Sequence, residues 1–210
     1  MKDTKDTVLI EQIPLGPMQN FVYLVGCPRT KEAAVVDPAW NVSAIVDAAK
    51  KDGMTIKHIL LTHSHFDHTN GVEELAAKTH AAVYANKNEI PFLSFRGIRV
   101  QPLEDGQTLS LGDVSIRCIH TPGHTPGSQC FVIQNHLISG DTLFINACGR
   151  TDLPGGSAGQ LAESLCGKLK RLDDGMVLLP GHDYGDVPQT TLGQQKKENP
   201  YMQGKSTEDF

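Results

Sequence analysis

Apolar residues along this chain fall in short runs separated by polar turns, not in long helical stripes. Runs at Thr7 to Ile13, Phe21 to Val25 and Ala33 to Val36 predict strands. Val42 to Lys51 predicts a helix, with Asn41 as its N-cap and Asp52-Gly53 closing it. The apolar stretch Ile56 to Leu61 predicts a further strand. Asn70 followed three residues later by Glu73 resembles a capping box for a helix through Lys78, and Ala82 to Ala85 reads as a strand. Beyond it, strands are expected at Val114 to His120, Cys130 to Ile133, Leu137 to Ser139 and Met176 to Leu179. Ser157 with Gln160 forms a second capping box, for a helix to about Arg171, and a last helix covers Thr191 to Glu198 before Asn199-Pro200 stops it. Strands and helices mixed around one core predict a layered α/β or α+β domain over residues 1–210, sheets inside and helices outside, with a frayed polar tail from 203 to 210.

The polar residues that break this pattern are informative in themselves. Directly after Ile59-Leu60-Leu61 stands His63-Ser64-His65-Phe66-Asp67-His68, three imidazoles and a carboxylate within six residues. Imidazole and carboxylate suit divalent transition metals. Three more candidate ligands share the same context, an apolar strand ending in a Gly- or Pro-containing turn: His124 in Pro122-Gly123-His124-Thr125-Pro126-Gly127, Asp141 after Ser139-Gly140, and His182 after Pro180-Gly181. Residues i and i+2 of an extended segment share a side, so His63 and His65 can grip one ion with His124. Asp67 and His68 lie further along and can reach a second ion with His182. Asp141 can bridge the two. Three ligands per ion plus a bridge leave positions for water, the mark of a catalytic site. Asp67 is also read as the group orienting the nucleophile, the alternative being that it orients a ligand histidine instead of binding metal.

Neighbouring residues carry two readings each. Arg150 can pair with a substrate carboxylate or with Asp152. Tyr184 can contact substrate through its hydroxyl or be a half-buried aromatic. Cys148 can line the pocket or pack as a small apolar group. Phe66 reads as a packing wedge, while His58, His80, His120 and His136 read as ordinary core or surface histidines.

Composition narrows the class. In 210 residues, 39% are hydrophobic and 20% charged, with a formal charge of −5. No basic run exceeds Lys196-Lys197, which argues against a nucleic-acid partner. No apolar stretch approaches the ~20 residues of a membrane span, and the charged opening Met1 to Asp6 offers no secretory h-region. The five scattered cysteines read as free thiols in a reducing compartment, cytoplasm or organelle matrix.

Taken together, Thr62 to His68, Pro122 to Gly127, Gly140-Asp141 and Pro180-Gly181-His182 resemble the metallo-β-lactamase superfamily in order and in span. The resemblance implies an αββα sandwich. Cys148-Gly149-Arg150-Thr151-Asp152 and His182-Asp183-Tyr184 are similar to the glutathione-linked branch, which holds glyoxalase II and persulfide dioxygenase. The first implies two divalent metals (zinc, iron or manganese) on His63, His65, Asp67, His68, His124, Asp141 and His182, with a metal-activated water cleaving a small-molecule glutathione thioester. Arg150, Cys148 and Tyr184 would then meet substrate, with Tyr184 steadying the oxyanion. The second implies one Fe(II) on His63, His124 and Asp141, acting on glutathione persulfide. Relatives of this kind also form homo-oligomers. The long helical C-terminal region that contacts glutathione in full-length glyoxalase II is largely missing.

Overall fold

A computed structural model describes residues 8–204. The charged opening, the first residue of the expected strand from Thr7, and the tail from 205 onward lie outside the described residues. Strands β1 (Leu9–Leu15), β2 (Asn20–Cys27), β3 (Glu32–Val36), β4 (Thr55–Leu60), β5 (Ala82–Asn86) and β6 (Val100–Leu103) form one sheet in that order. Its first three strands are antiparallel and β3 to β6 run parallel. The chain then makes β7 (Thr108–Leu111), β8 (Val114–His120), β9 (Gln129–Ile133) and β10 (His136–Gly140), a small hairpin of β11 (Leu143–Phe144) and β12 (Ala147–Cys148), and finally β13 (Val177–Pro180) and β14 (Thr190–Thr191). The second sheet has the order β14-β13-β10-β9-β8-β7.

Side-chain alternation explains why the sheets stack. β2 is buried along its whole length. Phe21, Tyr23 and Val25 point into a core shared with Ile116, Phe131 and Ile138 of the second sheet. Val22 and Leu24, on the opposite face, pack with Val42 and Ile45 of helix α1 (Val42–Lys51). Helix α2 (Phe66–Thr69) is a single turn, and α3 (Val72–Thr79) adds Val72 and Leu75 to the same outer core. Across the molecule, Leu137 and Leu178 meet Leu161 of α4 (Ala158–Ala162), Leu192 of α5 (Leu192–Glu198) and Met202 of α6 (Pro200–Gln203). A strand with two apolar faces needs cover on both sides, so the result is helix, sheet, sheet, helix. The expected αββα architecture is the observed one.

Several local expectations change. Asn41 does cap α1, accepting from the Ala44 N–H at 3.0 Å. Asn70 and Glu73, however, make no capping box: Asn70 accepts from Trp40 N–H at 2.6 Å and Glu73 from Arg96 N–H at 2.7 Å. Both side chains are spent on other segments, so α3 begins at Gly71 with no side-chain cap. The helix from Ser157 keeps its cap but loosens after Ala162 into a π turn and then a 3₁₀ turn to Arg171. Gly167, a poor helix former, lies in that stretch. Pro200 ends α5 and opens α6 at its first position, capped by Asn199. No helix among the described residues is long and apolar enough to cross a membrane.

Strand direction fixes where the chemistry collects. β8 and β9 are antiparallel, β9 and β10 are antiparallel, and β10 and β13 are parallel. The C-terminal ends of β8, β10 and β13 therefore share one edge of the second sheet. The first sheet meets that edge through Gln129 N–H to Thr62 O at 2.9 Å, Phe21 N–H to Gly181 O at 2.8 Å and a bridge between Asn20 and His182.

Candidate metal centre

All seven candidate ligands arrive at this edge. His63 to His68 follow β4, with Asp67 and His68 turned inward by α2; His124 follows β8, Asp141 follows β10 and His182 follows β13. Gly140 makes the turn before Asp141 with φ of +50°, in the left-handed region that favours glycine, and a Cβ there would strike Thr62. His63, His65 and His124 offer donor atoms lying within 4.8 Å of one another, and so do Asp67, His68 and His182. Asp141 stands between the sets. Its Oδ2 lies 3.6 Å from His124 Nε2 and 3.9 Å from His63 Nε2; its Oδ1 lies 3.3 Å from His68 Nε2.

Hydrogen bonds behind the rings set their tautomers. His124 Nδ1 faces the Arg150 carbonyl at 2.8 Å and His182 Nδ1 faces the Met18 carbonyl at 2.8 Å. A carbonyl only accepts, so each Nδ1 carries the proton and each Nε2 presents a lone pair inward. His68 Nδ1 lies 3.1 Å from the Asp37 carboxylate, which fixes its proton in the same way. With both rings neutral, His68 Nε2 and His182 Nε2 therefore oppose each other at 3.0 Å as two acceptors, with Asp67 Oδ2 3.4 Å from the latter. His63 Nε2 and Asp141 Oδ1 are buried without a hydrogen-bond partner. Acceptors converging on one another with no proton to share are costly, and a cation between them removes the cost. The donor set fits divalent metal.

Electrostatics agree. Burial first, then the neighbouring imidazole of His68, holds the His63 pKa well below the usual histidine range; burial and His124 lower His65. Both are neutral, the form that binds metal. Burial also works against charge on Asp141, but His68, His182 and His63 outweigh it and keep the carboxylate ionised. For His68 burial is again opposed, here by the carboxylates of Asp141 and Asp37, and its pKa rises well above normal: the surplus of acceptors holds a proton on His68 Nε2 when no metal is bound, and a metal ion would displace it. A cation is drawn to that acidic side of the centre.

Three residues that the sequence reading left out hold this arrangement. Asp37, at the end of the apolar β3, accepts from Thr62 N–H at 2.7 Å and Thr62 Oγ1–H at 2.5 Å as well as facing His68. Asn20 donates to Asp67 Oδ2 at 2.9 Å and accepts from Trp40 Nε1–H at 2.8 Å. Glu89 is fully buried; it accepts from Ser64 N–H at 2.8 Å, Gly127 N–H at 2.7 Å and Thr125 Oγ1–H at 2.9 Å, tying the His63–His68 and His124 loops together. For Asp37 a signal existed, a carboxylate closing an all-apolar strand. For Asn20 and Glu89 none did.

Above the centre lies a cavity of about 560 Å³, lined by His65, Asp67, His124, Asp141 and His182 at its base and by mostly apolar side chains above. Tyr184 and Cys148 line it. Tyr184 is 52% exposed and stacks on His182 with ring centres 4.5 Å apart. Arg150 lines it too, bound to Asp152 through two hydrogen bonds of 2.6 and 2.7 Å, so of its two expected roles the ion pair is present. Phe66 corrects the reading as a packing wedge: it is 71% exposed, edge-on to Trp40. Its place at the start of α2 turns Asp67 and His68 inward and leaves Phe66 outward. His120, half-buried with its ring 2.9 Å from the Pro126 carbonyl, stays outside both donor sets.

A family model described as "Metallo-beta-lactamase superfamily" matches residues 15–182, all seven candidate ligands included. The chain belongs to the metallo-β-lactamase superfamily. It is 36% identical over 191 residues, 91% of this chain and 85% of the relative, to the "Probable polyketide biosynthesis zinc-dependent hydrolase BaeB" of Bacillus velezensis. Among solved structures it is similar to ETHE1 from Myxococcus xanthus, with a TM-score of 0.88, 30% identity, and coverage of 96% of this chain and 88% of that one. It is also similar to TTHA1623 in a di-iron-bound form, with a TM-score of 0.79, 31% identity, and coverage of 91% and 99%. These relatives place the chain in the superfamily; the narrower glutathione-linked branch is not stated by their names.

Proposed function

We propose that this protein is a metal-dependent hydrolase that cleaves thioesters at a two-cation centre. The observation that carries the reading is the second donor set: Asp67, His68 and His182 are as complete and as buried as His63, His65 and His124, with Asp141 facing both. A single-iron centre on His63, His124 and Asp141 leaves that set without a task. The zinc-dependent hydrolase name of one relative and the di-iron form of another support the same reading.

Divalent cations held by His63, His65 and His124 and by Asp67, His68 and His182 would lower the pKa of a bound water and polarise a carbonyl. The protein supplies the rest. Asn20 fixes one oxygen of Asp67, leaving the other free at the cavity base to orient the attacking water and accept its proton. Tyr184 stands over His182 with its pKa raised, by burial first and by Asp141 and Asp67 next, so its hydroxyl keeps its proton and can donate to the oxyanion. The thiolate leaves without strong acid assistance, its pKa being low. The sequence motifs suggest glutathione as the thiol, while the cavity wall points to a different thiol arm. Thioester cleavage is followed by thiol release: activity lost on chelation and restored by zinc, manganese or iron is the expected result.

One observation favours a second reading, persulfide dioxygenase: the likeness to ETHE1 together with a two-histidine, one-carboxylate set in His63, His124 and Asp141. Oxygen uptake dependent on persulfide, at one iron per chain and with no thioester turnover, would replace the hydrolase reading with this one.

A further inference from the structure

The walls of the cavity carry more information than its base. Among the described residues, five large apolar side chains are left exposed, and Met18, Phe66 and Tyr184, three of the five, line this one cavity. Phe144 and Leu153 continue the same apolar surface. Leaving a phenylalanine 71% exposed forgoes stability that burial would give, and apolar side chains gathered at one place mark a surface that is covered in use. The opposite kind of contact is missing. Arg150 is the only lysine or arginine lining the cavity, and its exposed guanidinium already makes two hydrogen bonds to Asp152. A glutathione arm brings two carboxylates and an ammonium, and this wall offers them no unpaired cation.

Resting on the thioesterase reading, we infer that the substrate is a thioester with an apolar acyl chain and an uncharged thiol arm, the acyl chain lying along Met18, Phe66 and Phe144. Each methylene removed from water is worth about fourfold in binding when fully buried. On a half-open wall somewhat under twofold per methylene is expected, so the gain over the four methylenes from acetyl to hexanoyl is roughly tenfold. Binding energy used this way acts on substrate recognition and enters through KM.

The test uses the metal-loaded full chain with acetyl and hexanoyl thioesters of N-acetylcysteamine, and with S-hexanoylglutathione, which keeps the acyl group and changes only the arm. The expected result is a kcat/KM about tenfold higher for hexanoyl than for acetyl, and an N-acetylcysteamine ester cleaved at least as well as the glutathione ester. Met18→Ser and Phe66→Ser, on separate segments, should each shrink the chain-length gain to about twofold or less, mainly through KM. A flat chain-length profile, or tenfold preference for the glutathione ester, overturns the inference and leaves the thioesterase reading standing. Equal loss on every ester in both variants also counts against it. No turnover of any thioester overturns the reading beneath, and this inference with it.

Discussion

The base and the wall of the cavity are built by opposite rules. At the base every imidazole is buried or half-buried, and most have a partner behind them: a backbone carbonyl for His124 and His182, a carboxylate for His68, the Thr62 hydroxyl for His63. On the wall Met18, Phe66 and Tyr184 are exposed and held by ring contacts or none. Reactive geometry tolerates little displacement, so the base is over-determined. A wall that accommodates a substrate needs shape and apolar surface more than fixed atoms. Chemistry and selectivity are thus separable in this molecule.

The sharpest way to break that separation is at the point where the two donor sets meet. Asp141→Ala should lower thioester turnover by about a thousandfold or more and cost the protein bound metal, because one side chain serves both sets. Elemental analysis alongside kinetics checks it; full metal content with normal turnover would contradict it. The support behind the ligands should matter less but still measurably. Asp37→Asn is expected to weaken metal affinity by about 10- to 100-fold, read by competition with a chromogenic chelator, since it removes the carboxylate behind His68. Leu153→Ser, on the wall and away from the ligands, should leave that affinity as it is. If Asp37→Asn and Leu153→Ser shift affinity alike, base and wall are not separable.

Glu89 offers a smaller effect of a different kind. It has no positively charged partner among its hydrogen bonds and accepts three times, from two loops. Glu89→Gln turns one acceptor oxygen into an amide that meets an N–H or O–H donor, an unfavourable contact of about 1–3 kcal/mol. Urea unfolding of the chelated protein should register the loss, and looser loops should weaken metal binding as well; unchanged stability and affinity would show that the loops hold without this tie. The mildest expectation concerns Cys148 on the wall. Burial pushes its thiol pKa up to about 12, so at pH 8 it is protonated and should alkylate slowly with iodoacetamide. Rapid labelling would show a reactive thiol where the account places an apolar contact.

How far the sequence could be read follows the same division. Ligands were legible because four crowd into six residues after the apolar Ile59-Leu60-Leu61, because the other three follow apolar strands beside glycine, as in Gly140-Asp141 and Gly181-His182, and because parallel strand ends share an edge. The two sheets were legible from alternation such as Val114, Ile116 and Cys118 against Ser115 and Arg117. Asn20 and Glu89 were not, because their partners lie 47 and 36 residues away and a single buried polar residue carries no local pattern. β6 was obscured by Pro102 in a four-residue strand, and the Asn70–Glu73 box failed because tertiary partners claimed both side chains. Phe66 was misread because spacing alone does not tell which way a one-turn helix faces.

The central claim, that two cations sit among these side chains, is tested most directly by anomalous diffraction at the metal edge from crystals of the purified protein, with stoichiometry from elemental analysis of the same sample. Two peaks are expected, one amid His63, His65 and His124 and one amid Asp67, His68 and His182, with Asp141 between them. A single peak, or metal bound away from these residues, would contradict the account.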